Sequence, residues 1–391
     1  MEKIPENCIL SKGTTGCGAT TMATVQRTPT LIAAPFTELI RNKAAQFPEN
    51  SENKPVLLPI YGEGDKTKEI ADYMQIHGDL PKIMTTYDSV PKVCRTLASL
   101  GYDPYGEMHL CVDEWHLLFN QYSFRNSAIR NLLSITGDFK RVTYMSATPI
   151  EREYWLEELL GLPEYRIEWP HIEPIKVRSH RIEGSPLKYM VGICKDTLKH
   201  DSSYNLHIFL NSVEGAKAVI DTLKVSPDIA RIVCADNDEN RMKLAGFPTG
   251  STSEPVRRIN LYTSTVFNGC DIYDRDGMTF IISDTMKRHT LIDISTSMIQ
   301  ICGRVRDSRY KEIVHLYDTL PYKDTTFGQF KEATWKRVEE AEEYVQWLNS
   351  APERIKPKTQ EIISYSDERY IINNGGTYKV DRNMAKFEIL N

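Results

Sequence analysis

The chain has no apolar run of about 18 uncharged residues, so no membrane-spanning helix is expected. Its first ten residues, MEKIPENCIL, do not read as a signal peptide. Cys8, Cys17, Cys94, Cys111, Cys194, Cys234, Cys270 and Cys302 form no C-x-x-C pair and no Cys/His spacing suited to zinc. Cys111, Cys234 and Cys302 lie in apolar runs and read as small buried hydrophobes. A reduced, cytoplasmic setting is therefore expected. The charge is weak as well: a formal net of -5 gives no global pull toward polyanions, so any nucleic-acid surface must be a local patch or cleft. Low-complexity segments are also lacking. What remains is an ordinary globular composition, 41% apolar and 26% charged, over 391 residues, enough for two or three domains with real cores.

Short β-rich runs alternate with helical patterns, which predicts an α/β fold with mainly parallel sheets. The first half offers strands at Cys8–Ser11, Thr30–Ala34, Lys82–Thr86, His109–Val112 and Arg141–Met145. The second offers Leu206–Leu210, Arg231–Ala235, Arg258–Thr263, Met278–Ser283 and Ile313–Tyr317. The seam falls near Pro163–Lys176, where Pro163, Pro170 and Pro174 break regular structure. Beyond, Thr325–Asn349 is one long amphipathic helix by its apolar spacing, and Tyr370–Ile372 with Thr377–Val380 forms a hairpin. The predicted units are residues 1–168, residues 169–322, and a C-terminal extension over 323–391.

Three clusters carry chemistry. Gly13-Thr14-Thr15-Gly16-Cys17-Gly18-Ala19-Thr20 follows a strand and opens a helix, the frame of a phosphate-binding loop. Thr20, followed by Thr21, holds the position whose hydroxyl ligates Mg²⁺, but Ala19 stands where the phosphate-neutralising lysine belongs. Lys12, just upstream, is the candidate to swing in from the opposite rim. The second cluster is Asp113-Glu114-Trp115-His116, which puts two adjacent carboxylates at a strand end. Asp113 is expected to hold Mg²⁺ and Glu114 to polarise a water attacking a phosphate. His116 could couple the site to the second domain, and Trp115 reads as packing. Ser146-Ala147-Thr148 is the third, again at a strand end, with hydroxyls suited to bonding those carboxylates.

In this order the clusters resemble motifs of the superfamily 2 DEAD/DEAH-box helicases over residues 8–310, including phage and viral members such as herpesvirus-type origin-binding helicases. Asp113–His116 resembles motif II and Ser146–Thr148 motif III. Ala34-Pro35-Phe36 with Leu39 looks like motif Ia, and Thr85-Thr86-Tyr87-Asp88-Ser89 like motif Ib. Phe209-Leu210-Asn211-Ser212 resembles motif IV, Thr263–Asp271 motif V through Gly269 and Asp271, and Gln300–Arg306 motif VI. The second arginine of motif VI stands one place early, with Asp307 where arginine is usual.

The resemblance implies two tandem RecA-like domains that bind ATP and Mg²⁺ between them. It implies Arg304, then Arg306, as arginines reaching the γ-phosphate, Asp271 and Gln300 fixing the ribose or that fork, and Ser146, Thr148 and His116 as coupling residues. Pro35, Thr86, Tyr87, Asn211, Ser212 and Thr263 are the implied nucleic-acid contacts. Arg257-Arg258 and Lys287-Arg288-His289 are further basic candidates. The implied partner is nucleic acid, DNA ahead of RNA, in phage or mobile-element replication within a bacterial cytoplasm, with replisome proteins as further partners and the chain acting as a monomer. Ala19 keeps a second reading open: a helicase-like protein, weak or inactive as an ATPase, that binds nucleic acid or a replisome partner. A nuclease or restriction-type motor would need a nuclease pattern that the sequence lacks.

Overall fold

The computed structural model describes residues 3–48, 55–62, 64–120, 122–148, 150–171, 174–200, 203–267, 270–294, 296–319, 325–352, 354, 368–374 and 376–390. The first sheet holds β1 (Cys8–Ser11), β2 (Thr30–Ala34), β3 (Leu58–Ile60), β4 (Lys82–Thr86), β5 (His109–Asp113), β6 (Arg141–Ser146) and β7 (Glu164–Arg166). These strands are parallel and ordered β3-β4-β2-β5-β6-β1-β7. Every residue of β1, β2 and β5 is buried, as expected of parallel strands covered on both faces. One apolar cluster, including Ile9, Leu31, Val112 and Tyr144, lies on one face; another, including Leu10, Ile32, Cys111 and Met145, lies on the other. That alternation is the two-residue side-chain period of each strand.

The second sheet is built from β8 (Lys176–Arg181), β9 (Asn205–Phe209), β10 (Ala230–Val233), β11 (Ile259–Tyr262), β13 (Gly277–Ser283) and β15 (Glu312–Tyr317). Its order is β10-β11-β9-β13-β15-β8, again parallel. A separate two-stranded ribbon pairs β12 (Ile272–Tyr273) with β14 (Val305–Arg306). The proline-rich seam joins β7 to β8, so the two sheets are separate units with separate cores. Six of the eight cysteines are buried; Cys17 and Cys302 are half-buried, the latter less enclosed than its apolar run suggests, and none is in a disulfide.

The tail forms the helix Phe327–Ser350, a hairpin of β16 (Ile371–Asn374) and β17 (Thr377–Val380), and a last helix, Arg382–Leu390. Thr326 and Gln329 close a capping box at the start of the long helix. Val338, Ala341, Tyr370, Met384, Ala385 and Ile389 join the core of the first sheet. The chain thus crosses to the second unit and returns to the first. No described helix is long and apolar enough to cross a membrane.

Candidate nucleotide site and nucleic-acid cleft

Past β1 the chain turns through Gly13, Gly16 and Gly18, all at positive φ, before the helix Ala19–Val25. Two of these glycines are required by close approach as well. A Cβ on Gly13 would lie 2.6 Å from the Ile167 carbonyl oxygen, and one on Gly16 would lie 2.5 Å from the Arg306 guanidinium. Trp169, in the seam, donates its indole N–H to the Lys12 carbonyl at 2.8 Å and fixes the loop from outside. Ala19 faces inward and packs with Leu10, Cys111 and Met145, so this position belongs to the core.

Lys12 is 5% exposed, and its ammonium sits 2.9 Å from Asp113 Oδ1 and 2.8 Å from Glu114 Oε1. Burial alone would pull its pKa down; the two carboxylates outweigh that and hold the lysine above its usual range. Burial likewise would raise Asp113, but Lys12, the Thr20 hydroxyl at 2.7 Å and the Glu114 N–H at 3.0 Å hold its carboxyl below the ordinary value. Glu114 itself has φ of 52°, an uncommon backbone for a non-glycine residue. The Tyr87 hydroxyl donates to the carbonyl oxygens of Asp113 and Glu114 and supports that turn. His116 Nδ1 lies 2.8 Å from Ser146 Oγ and 3.4 Å from Glu114 Oε2, while Ser146 Oγ accepts the Thr148 N–H at 3.0 Å.

The second unit meets this cluster directly. Gln300 donates to Glu114 Oε2 at 3.3 Å and to Thr148 Oγ1 at 3.4 Å. Arg306 donates to Asp271 Oδ1 at 2.9 Å, held there because β12 and β14 lie side by side. Its guanidinium covers Gly16, whereas Arg304 is 3% exposed and donates to carbonyl oxygens of Gln300 and Cys270. The arginine ranked second by the sequence thus reaches the loop, and the one ranked first braces the motif from within. Asp307, at φ of 60°, turns the chain away after it, and Arg309 pairs with Asp276 instead. Gly269 lies outside the described residues.

A cleft of about 960 Å³ runs between the units, lined by Pro35, Thr86, Asn211, Ser264 and Thr265 among others. An adjoining hollow of about 390 Å³ adds Ser212, Thr263 and His289. Five of the six expected nucleic-acid contacts therefore line one continuous surface. Tyr87 does not: it is 0% exposed and serves the Asp113–Glu114 turn. The Ser212 hydroxyl caps the helix Val213–Leu223 by accepting the Gly215 N–H at 3.0 Å. Charge in the cleft is unlike that expected of a phosphate track: Glu38, Asp88, Asp236 and Asp293 line it beside Arg41. Arg257 lies outside it, donating to the Pro227 carbonyl at 3.2 Å. Residues the sequence did not single out are Trp169, legible only as an aromatic in a proline-rich seam, and Lys43, which donates to Thr21 Oγ1 at 2.7 Å.

This geometry has clear structural relatives. The DEAD-box helicase Mss116 bound to ssRNA and UDP-BeF superposes with a TM-score of 0.54 at 12% identity, over 99% of this chain and 83% of that one. The fold is the tandem RecA-like one of DEAD-box helicases. S. cerevisiae Dbp5 bound to RNA and ADP BeF3 gives a TM-score of 0.50 at 13% identity, over 81% of this chain and 79% of its own. No protein-family model and no curated protein matches the sequence.

Proposed function

We propose that this tandem RecA-like protein is an ATP-dependent nucleic-acid helicase or translocase that hydrolyses ATP between its two units. One observation carries the reading. Lys12, Thr20, Asp113 and Glu114 of the first unit converge on one point, Gln300 of the second reaches Glu114 there, and Arg306 of the second covers Gly16 in the adjoining loop. Solvated strand-end carboxylates would not need a buried lysine or a partner from another domain.

Asp113 and Thr20 offer a carboxylate and a hydroxyl 2.7 Å apart, hard oxygen donors that fit Mg²⁺ completed by phosphate and water. Offsetting phosphate charge is the chemistry such an ion would supply there. The remaining work falls to side chains. Lys12 balances only one of the two carboxylate charges it touches, and exchanging Glu114 for a phosphate oxygen would free that carboxylate to orient a water. Arg306, over Gly16, would meet charge developing at the far phosphate. Gln300 reports the state of Glu114 to Thr148, and through Ser146 to His116. Opening and closing of the cleft would follow the nucleotide, and a strand along Pro35, Thr86, Asn211 and Thr263 would be moved with it. Hydroxyl, amide and backbone groups, rather than a lysine track, would hold that strand. The G-R-V-R form of residues 303–306 is the support for DNA ahead of RNA and for a phage or mobile-element role.

The rival reading, a helicase-like binding protein with little turnover, draws on Ala19 packed in the core and Lys12 held by both carboxylates. Steady-state ATP hydrolysis with and without single-stranded DNA or RNA decides between them. Turnover stimulated by the strand, and cut about 100-fold or more in Glu114→Gln, is the expected result. Strand binding without turnover above that variant would give the case to the rival.

A further inference from the structure

Resting on that ATP-binding reading, the geometry points to Lys43, on the helix Thr37–Ala44, as the residue that supplies phosphate-binding charge in place of the loop's missing lysine. The cations of the site are otherwise occupied. Lys12 is paired with Asp113 and Glu114, and Arg306 with Asp271. Arg304 is spent on the oxygens of Gln300 and Cys270. Lys43 donates only to a hydroxyl, Thr21 Oγ1 at 2.7 Å, and an amide oxygen, Gln46 Oε1 at 3.1 Å. No carboxylate of the described residues pairs with it.

A half-buried ammonium without a counter-charge is a costly arrangement, and sites that keep one are built for an anion. Burial lowers its pKa, while the fields of Asp113 and Asp271, from the two sides of the cleft, favour the charged form. The bond to Thr21 places the amine at the first turn of the helix that follows the loop, whereas Arg306 lies over Gly16 within the loop. Thr21 adjoins Thr20, whose hydroxyl is already on Asp113. Arg306 over Gly16 and Lys43 at Thr21 would therefore bracket the phosphates, with Ala19 between them turned into the core. The stem of Lys43 passes Phe47, its amine 5.8 Å from the ring centre, which holds the side chain extended.

Two measurements test this. In the first, a fluorescent ATP analogue is titrated with Mg²⁺ into the full chain, Lys43→Met and Lys43→Arg, with adenosine as the uncharged control. Methionine keeps the packing on Phe47 and removes the charge, so ATP should bind about tenfold to a hundredfold more weakly while adenosine is unchanged. Arginine should restore most of the affinity. In the second, the unmutated chain is acylated lysine by lysine with and without saturating ATP, and read by mass spectrometry; Lys43 should be protected. ATP affinity in Lys43→Met within twofold of the parent, or Lys43 acylated equally with ATP bound, would overturn the assignment. If the parent chain binds no ATP analogue at all, the functional proposal itself fails, a different result from either.

Discussion

His109, buried in the middle of the first sheet, shows how a single side chain ties this fold to pH. Its Nε2 lies 2.7 Å from Thr143 Oγ1, and its Nδ1 lies 3.3 Å from the amide nitrogen of Gln26. Nδ1 must accept there, so the neutral ring with its proton on Nε2 satisfies both contacts, and a second proton would face an N–H. Burial accordingly lowers its pKa from 6.5 to about 4. The folded value is below the unfolded one, so the unfolded chain binds more protons between them and stability falls as pH drops from 6.5 toward 4. The full effect is on the order of 3 kcal/mol. Urea denaturation at pH 7 and pH 4.5 should show His109→Gln losing less stability on acidification than the parent; equal losses would refute the assignment. At this scale the sequence is informative where chemistry needs a residue type at a fixed spacing, as with Asp113, Glu114, Ser146 and Gln300. It says little where a side chain arrives from elsewhere. Lys43 lies 24 residues from Ala19 in the chain (43 − 19), and no local pattern marks its approach to the loop. Tyr87 reads as a nucleic-acid contact beside Thr86, but the chain's turn after β4 sends it inward.

Buried strands were legible, and exposed edge strands were not. The strands β1, β2, β4, β5 and β6 carry continuous apolar or β-branched runs, which follow from burial between two helical layers. The edge strands β7 and β8, EYR and KVRSHR, are mostly exposed and carry no such signal; they exist because a neighbouring strand offers them hydrogen bonds. The ribbon of β12 and β14 is two residues long on each side and equally invisible, yet it sets Asp271 beside Arg306. A buried chain of polar groups anchors it. Arg231 donates to the Tyr262 hydroxyl at 3.0 Å, that hydroxyl lies 3.0 Å from His207 Nδ1, and His207 Nε2 lies 2.8 Å from Asp274 Oδ2. Asp274 in turn donates its backbone N–H to the Arg306 carbonyl at 3.2 Å. Tyr262→Phe deletes only the hydroxyl, leaving a buried arginine and histidine each short of one partner. It should cost about 1–3 kcal/mol in denaturant unfolding. A variant as stable as the parent would mean that the relay does not hold the ribbon.

The path of the whole chain was the least legible feature, because an amphipathic helix announces that it has a partner without saying which. The apolar stripe on Phe327–Ser350 fits either unit; the structure gives it to the first. Phe387 lies 6.3 Å from Phe119 between ring centres, Asp381 accepts the Tyr122 hydroxyl at 3.1 Å, and Asn383 accepts the Glu157 N–H at 3.1 Å. Lys386 donates to the Trp155 carbonyl at 2.7 Å and to Glu157 Oε1 at 2.6 Å, and Lys331 pairs with Glu153 at 2.7 Å. Trp155 packs edge-on against Trp115, the residue between Glu114 and His116, so the tail closes the core directly behind the paired carboxylates. Six buried tail residues contribute to that core. At about 1.5–3 kcal/mol for each large apolar side chain, their loss is on the order of the whole stability of a domain. A chain ending at residue 324 should therefore lose cooperative thermal unfolding of its first unit and bind a hydrophobic dye. Supplying residues 325–391 as a separate polypeptide should restore the melt. If the shortened chain instead melts as the full one does, the tail is an appendage and the first unit is complete without it.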